Sequence, residues 1–226
     1  MCTAVTYKTK DFYFGRTFDN ECSYGEEIVM TPRNYPFRFP GMDGMDRHYA
    51  MIGIAHVEQD YPLYYDAVNE KGLAMAGLNF PGNACYNPPV QDRKNIAVFD
   101  LIQCILRNFA SVRECRDWLK EVNLTDVPFC ENLPVATLHW IIADRDEALT
   151  LEAVAEGLRI YENPVGVLTN NPAFPGQMLF LNNYMHLSAK PPQNLFAETL
   201  PLQTYCKGMG AIGLPGDLSS QSRFVR

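Results

Sequence analysis

The order of the hydrophobic patterns is the feature that most limits the folds open to this chain. Alternating segments come first, two helical segments occupy the middle, and alternating segments then return. Cys2 to Tyr7 alternate, Lys8 to Asp11 read as a turn, and Phe12 to Gly15 run back as the second arm of a hairpin. Tyr49 to Val57 reads as another strand, and Tyr64 to Asn69 and Leu73 to Asn79 flank the turn Asn69-Glu70-Lys71-Gly72. Ile96, Phe99, Ile102, Leu106 and Phe109 recur at spacings of three and four, which predicts a helix behind an Asn95 cap. Ser111-Val112-Arg113-Glu114 is a capping box, and Val112, Cys115, Leu119 and Val122 continue it as a second helix. Strand patterns return at 137–143, 149–155 and 158–161. This order predicts an α+β fold with sheets and helices in separate layers, not βαβ alternation. The stretches Thr31 to Arg47 and Pro81 to Asn95 read as loops, and the chain after Pro172 reads as irregular.

With 226 residues the chain can bury one sizeable core, so residues 1–226 are expected to form a single domain. No apolar run approaches ~18 residues, so no membrane span is expected. Met1-Cys2-Thr3-Ala4-Val5 has no basic region ahead of an apolar stretch, which predicts no secretory signal and a cytoplasmic protein. The net charge of −7 argues against a nucleic-acid partner. Seven cysteines form no Cys-x-x-Cys pair, and with four scattered histidines they give no zinc pattern. No metal is expected, and the thiols read as reduced, most of them small core residues.

One cysteine is placed differently. Cys2 follows the initiator Met, and loss of Met1 would free its α-amine. As free groups such an amine and thiol titrate near about 7.7–8.0 and about 8.5, so one residue could supply both nucleophile and base. Position 2 also suits a residue that is merely small. The return strand brings Arg16, which can favour a thiolate, and Asp19, which can accept from an ammonium; a surface ion pair at a strand end is the other reading. Asn79 ends one strand pattern and Asn170 ends the apolar run from Val165. An Asn amide can stabilise a developing oxyanion by about 3–4 kcal/mol, though Asn before a turn is also ordinary turn chemistry. His139 sits in a strand and reads as structural, while His48, His56 and His186 are isolated. A Cys–His protease site therefore has no local support.

Met1-Cys2-Thr3, Gly15-Arg16-x-x-Asp19, Asn69-Glu70-Lys71-Gly72-Leu73, Ala76-Gly77-Leu78-Asn79-Phe80, Glu131-Asn132-Leu133-Pro134, Thr137-Leu138-His139-Trp140, Leu168-Thr169-Asn170, Gly213-Leu214-Pro215-Gly216-Asp217 and Ser222-Arg223-Phe224 occur in this order. Together they resemble the choloylglycine hydrolases, the family of bile salt hydrolases and penicillin V acylases. The resemblance implies an αββα four-layer N-terminal-nucleophile (Ntn) hydrolase sandwich of antiparallel sheets. It implies Cys2 as nucleophile, Arg16, Asp19 and Arg223 arranging thiolate and amine, and Asn79 and Asn170 stabilising the oxyanion. It implies a thioester intermediate and no metal or organic cofactor.

The implied substrates are glycine- or taurine-conjugated bile salts, because Asn79 stands where penicillin V acylases commonly carry Tyr. Phe18, Phe129, Leu133 and Leu138 would line the sterol slot, and the aromatic Phe18 and Phe129 depart from the commoner pattern and make it bulkier. Alternatives are a penicillin V or N-acyl-homoserine-lactone acylase, and a truncated non-catalytic remnant. Family members continue past Ser222-Arg223-Phe224 for roughly another third, so the chain is expected to lack C-terminal strands and to leave sheet edges and a core face uncovered. Relatives' assembly implies a homotetramer if that segment is not required.

Overall fold

The computed structural model describes residues 1–37 and 48–226. The Thr31 to Arg47 loop therefore lies partly outside the described residues. The N-terminal hairpin pairs β1 (Cys2–Lys8) with β2 (Phe12–Phe18), and β12 (Val167–Leu168) joins the other side of β1. A seven-stranded sheet contains β3 (Glu26–Thr31), β4 (Met51–Glu58), β5 (Tyr61–Asn69), β6 (Ala74–Asn79), β9 (Leu138–Ala143), β10 (Ala148–Val154) and β11 (Gly157–Glu162). All neighbours within these two sheets are antiparallel.

Between β6 and β9 the chain makes β7 (Lys94–Ala97), α1 (Leu101–Asn108), α2 (Val112–Leu119) and β8 (Val122–Thr125). Two departures from the periodicity lie here. Asn95 does not cap a helix. It sits in β7, where its side chain bonds Val90 and Asn123. Val122 belongs to β8, which pairs with β7 in parallel, a small exception to the antiparallel sandwich. The apolar residues Ile96 and Val122 enter the same core as α1 and α2 from strands, so their spacing mimics helical periodicity. The capping box behaves as expected, with Ser111 accepting from the Glu114 N–H at 3.3 Å.

The β5–β6 turn shows how local chemistry joins layers. Gly72 adopts a φ of 88°, a conformation that suits glycine. Asn69 Oδ1 accepts from Lys71 N and Leu73 N at 3.0 and 3.1 Å. Its Nδ2 donates to the carbonyls of Leu106 and Phe109, both at 2.8 Å. One buried amide thus closes the turn and satisfies carbonyls at the end of α1.

Along β6, β9 and β10 the two sheet faces separate cleanly. Met75, Trp140, Ile142, Leu149 and Leu151 pack with α1 and α2, while Ala76, Leu78 and Ile141 pack with Cys2, Ala4 and Leu168 of the small sheet. On that second face α3 (Phe174–Asn183) and α4 (Ser220–Val225) contribute Phe174 and Phe224. The result is the αββα arrangement. The sequence patterns missed β3, α3 and α4. Pro175 and Gly176 disguise α3, although proline in a first turn forfeits no helical hydrogen bond. Beyond β2, the second face of the large sheet leaves Ile28, Met30, Ile52 and Val68 exposed. No helix among the described residues is long and apolar enough to cross a membrane.

One buried acid makes this fold pH-dependent. Asp100 precedes α1, accepts from the Tyr61 hydroxyl at 2.5 Å, and is pushed up to about 7 by burial. A free Asp titrates near about 3.9, so this site's contribution is full below about pH 4 and is lost as pH rises through about 7. Asp100→Asn is expected to stabilise the protein at pH 8 by on the order of 1–3 kcal/mol and to change little at pH 4. Urea unfolding at both pH values checks this; equal effects at the two would refute it.

Candidate active site

The register of the small sheet builds the site. Across β1, Cys2 faces Phe18 and Ala4 faces Arg16 on β2, while Ala4 faces Leu168 on β12. Side chains alternate, so Cys2, Ala4, Arg16 and Phe18 share the face toward the large sheet. The antiparallel β12 pairing also brings Asn170, two residues past Leu168, opposite Cys2. Its Oδ1 accepts from the Cys2 N–H at 2.8 Å and from Arg223 Nη2 at 3.2 Å.

Cys2 is buried, and Arg16 Nη2 donates to its Sγ at 3.2 Å. Arg16 is fixed from several sides. Its Nη1 meets Asp66 Oδ2 at 3.1 Å, its Nε donates to the Thr17 carbonyl at 3.3 Å, and its guanidinium carbon lies 4.4 Å from the Phe18 ring centroid. Arg223 reaches the site from α4, donating from Nε to Thr3 Oγ1 at 3.0 Å. Asn79 ends β6 with its carbonyl accepting from Asn170 Nδ2 at 2.9 Å, while its own side chain is exposed. Asp19 is brought near by its backbone: its carbonyl accepts from the Met1 ammonium at 2.5 Å. Its carboxylate makes no hydrogen bond or ion pair among the described residues.

Beside this cluster lies a cavity of about 450 Å³. Cys2, Arg16 and Asn79 line it together with Phe18, Phe129, Leu133 and Leu138. Its wall is continued by Tyr24, Phe99 and Trp140, which the sequence reading did not assign to it. Phe129 is held between Phe99 and Tyr61, at centroid distances of 5.2 and 5.5 Å. The cavity is therefore largely apolar, with thiol, guanidinium and amide on its lining, a composition suited to an apolar molecule that carries one reactive polar bond. His139 does not line it. That ring is fully buried, with Nδ1 3.0 Å from Glu152 Oε1 and Nε2 2.7 Å from the Thr169 carbonyl oxygen. Among the described residues, no cluster of three or more His, Cys, Asp or Glu side chains could hold a metal ion.

Asp66 is the site residue that sequence reasoning missed. The available signal was an acid in the apolar stretch Tyr61 to Val68 of β5. The Arg16 and Asp66 side chains are only 6% and 17% exposed, so removing one partner leaves the other charge poorly solvated. Asp66→Ala is expected to cost about 3 kcal/mol in urea unfolding, and to lower activity further by freeing Arg16 from Cys2. A loss under about 1 kcal/mol, typical of an exposed pair, would contradict this.

Residues 2–226 match the family model of linear amide C–N hydrolases, choloylglycine hydrolase family. The chain is 54% identical over 226 residues to a bile salt hydrolase/transferase from Lactiplantibacillus plantarum, covering all of this chain and 70% of that protein. It superposes with a TM-score of 0.92 on a crystallised variant of the conjugated bile acid hydrolase from Clostridium perfringens, at 36% identity over 100% of this chain and 70% of the other. A penicillin V acylase from Agrobacterium tumefaciens shares the fold at a TM-score of 0.73 and 21% identity, with 63% of its chain covered.

Proposed function

Because the chain belongs to the choloylglycine hydrolase family of linear amide C–N hydrolases, we propose that it hydrolyses the amide of glycine- or taurine-conjugated bile salts with Cys2 as nucleophile. The observation that carries this reading is Cys2 Sγ, on the wall of an apolar cavity, 3.2 Å from an Arg16 guanidinium that is itself fixed by Asp66. The cavity suits a sterol body, and the relatives named for conjugated bile acids support that choice of substrate.

In this mechanism loss of Met1 frees the Cys2 amine, which stays within reach of Asn170 Oδ1. The amine takes the thiol proton, and Sγ attacks the amide carbonyl carbon. The carbonyl π pair moves onto oxygen. Two donors can meet it: the Asn79 side-chain amide, which has no hydrogen bond among the described residues, and the second hydrogen of Asn170 Nδ2. Collapse expels glycine or taurine, protonated by the Cys2 ammonium, and leaves a thioester. Water, deprotonated by the same amine, attacks the thioester and releases the bile acid and the thiol. Arg16 supports the sulfur's negative charge throughout. No step calls for a metal or an organic cofactor.

The seven free cysteines suit a reducing, cytoplasmic setting. The test of function is direct. Glycocholate, taurocholate and penicillin V are incubated in parallel with the enzyme, and released glycine, taurine or side-chain acid is quantified. Conjugated cholates are expected to be cleaved at least about tenfold faster. Preference for penicillin V would replace the substrate assignment and leave Cys2 in its role.

A further inference from the structure

The segment that carries Asn170 has no regular structure of its own, because β12 ends at Leu168 and α3 begins at Phe174. Its backbone groups must find partners elsewhere. A single amide supplies three of them. Gln177, on α3 and with no exposed surface, accepts at Oε1 from the Thr169 N–H and the Thr169 hydroxyl, both at 3.0 Å. Its Nε2 donates to the carbonyls of Asn170 at 2.6 Å and Pro172 at 2.8 Å. Both hydrogens and both lone-pair sites of this side chain are thus occupied.

Two further elements converge on the same point. The Thr169 hydroxyl spends its hydrogen on Gln177, so at 2.7 Å from Ser220 Oγ it is the acceptor. Ser220 opens α4, the helix whose Arg223 reaches Asn170 Oδ1. On the other side, His139 Nε2 lies against the Thr169 carbonyl. The buried amide therefore ties together α3, α4 and the strand-end loop at the residue that meets the Cys2 nitrogen.

We propose that Gln177 is a positioning residue for the reaction at Cys2: by fixing the backbone on both sides of Asn170, it holds that amide where the Cys2 nitrogen and the developing oxyanion require it. This rests on the proposed hydrolysis for its kinetic consequence, but not for its structural one. Displacement of a reacting group by about 1 Å can cost on the order of 100-fold in rate, and groups held by a buried, fully used hydrogen-bond network are the ones most sensitive to losing a donor.

The experiment uses Gln177→Glu, which keeps size and acceptor but turns the Nε2 donor into an oxygen facing two carbonyls. Three quantities are compared with the parent enzyme: hydrogen exchange across residues 167–173, kcat and KM for glycocholate, and the rate of Cys2 alkylation by iodoacetamide. The expected result is exchange across residues 167–173 at least about tenfold faster, because the Asn170 and Pro172 carbonyls lose their donor, and kcat lower by about 10–100-fold, with KM and alkylation within about threefold. Unchanged exchange overturns the proposal, as does faster exchange with kcat within about twofold of the parent. A purely structural glutamine would reduce the yield of folded protein and leave kcat per folded molecule unchanged. Should Gln177→Glu not fold, Ser220→Ala removes one hydrogen bond from the same hub and is expected to shift exchange and kcat in the same directions, by less; no shift there also overturns the proposal. A parent enzyme that leaves glycocholate intact refutes the substrate reading alone, and the exchange rates still decide for or against Gln177.

Discussion

Alanine at position 2 is expected to bring glycocholate turnover down to background, a loss on the order of 10⁴-fold or more, with the folded structure retained. The side chain removed is small, and its polar contact is the one with Arg16 Nη2, so circular dichroism and the urea midpoint should stay near those of the parent. Alanine is also small enough to allow Met1 removal, so the variant tests the sulfur and not the processing. No other thiol is placed to compensate. Burial pushes Cys104 and Cys115 up to about 12, which keeps them protonated at neutral pH, while exposed Cys22, Cys85 and Cys206 and half-buried Cys130 do not line the cavity. Cys2→Ser adds a second reading, since it keeps the α-amine but offers a less acidic hydroxyl. Residual activity above about 1% in Cys2→Ala, measured on protein free of parent enzyme, would rule out the nucleophile assignment.

Asn79→Ala is expected to lower kcat by about 10²–10³-fold, equivalent to about 2.7–4 kcal/mol of transition-state stabilisation. Unlike Asn170, Asn79 has an exposed side chain with no hydrogen bond among the described residues, and its main-chain carbonyl is what holds Asn170 Nδ2. Truncation leaves that carbonyl in place, so stability should change by less than about 0.5 kcal/mol, the range of a neutral surface substitution. Rate and fold are therefore separable at this position. Asn79→Asp sharpens the comparison, because a carboxylate of the same shape faces the developing negative charge and should be at least as harmful. A kcat within threefold of the parent for Asn79→Ala would remove it from the oxyanion site.

The hairpins at the N-terminus and around Gly72 were legible because strand alternation and turn chemistry are written within a few residues of each other. The Ser111 capping box was legible for the same reason. Where the pattern failed, distance was the cause. Ile96 and Val122 look helical in their own windows, yet they lie on two strands that pair only because two helices intervene. Phe174–Asn183 is a helix despite Pro175 and Gly176, since Phe174 and Gln177 are buried against the second sheet face and the 169–172 loop. Local propensity is a weak signal that tertiary burial overrides.

The site divides in the same way. Cys2, Arg16, Asp19, Asn79, Asn170 and Arg223 could be named because each residue type has recognisable chemistry and the ordered motifs resemble one family. Asp66 and Gln177 could not. An aspartate in a strand or a glutamine in a helix has no motif, and each acquires meaning only from what the fold sets beside it, a guanidinium in one case and four polar groups of residues 169–172 in the other. The sequence by itself determined that sheets and helices lie in separate layers, since that follows from short-range pattern, and its ordered motifs determined the family and so the class of amide hydrolysis. Tertiary structure alone decided which partners hold the reactive groups and how the cavity is walled, because hydrogen bonds and packing act over a few ångströms in space between residues as far apart along the chain as Thr3 and Arg223, 220 positions.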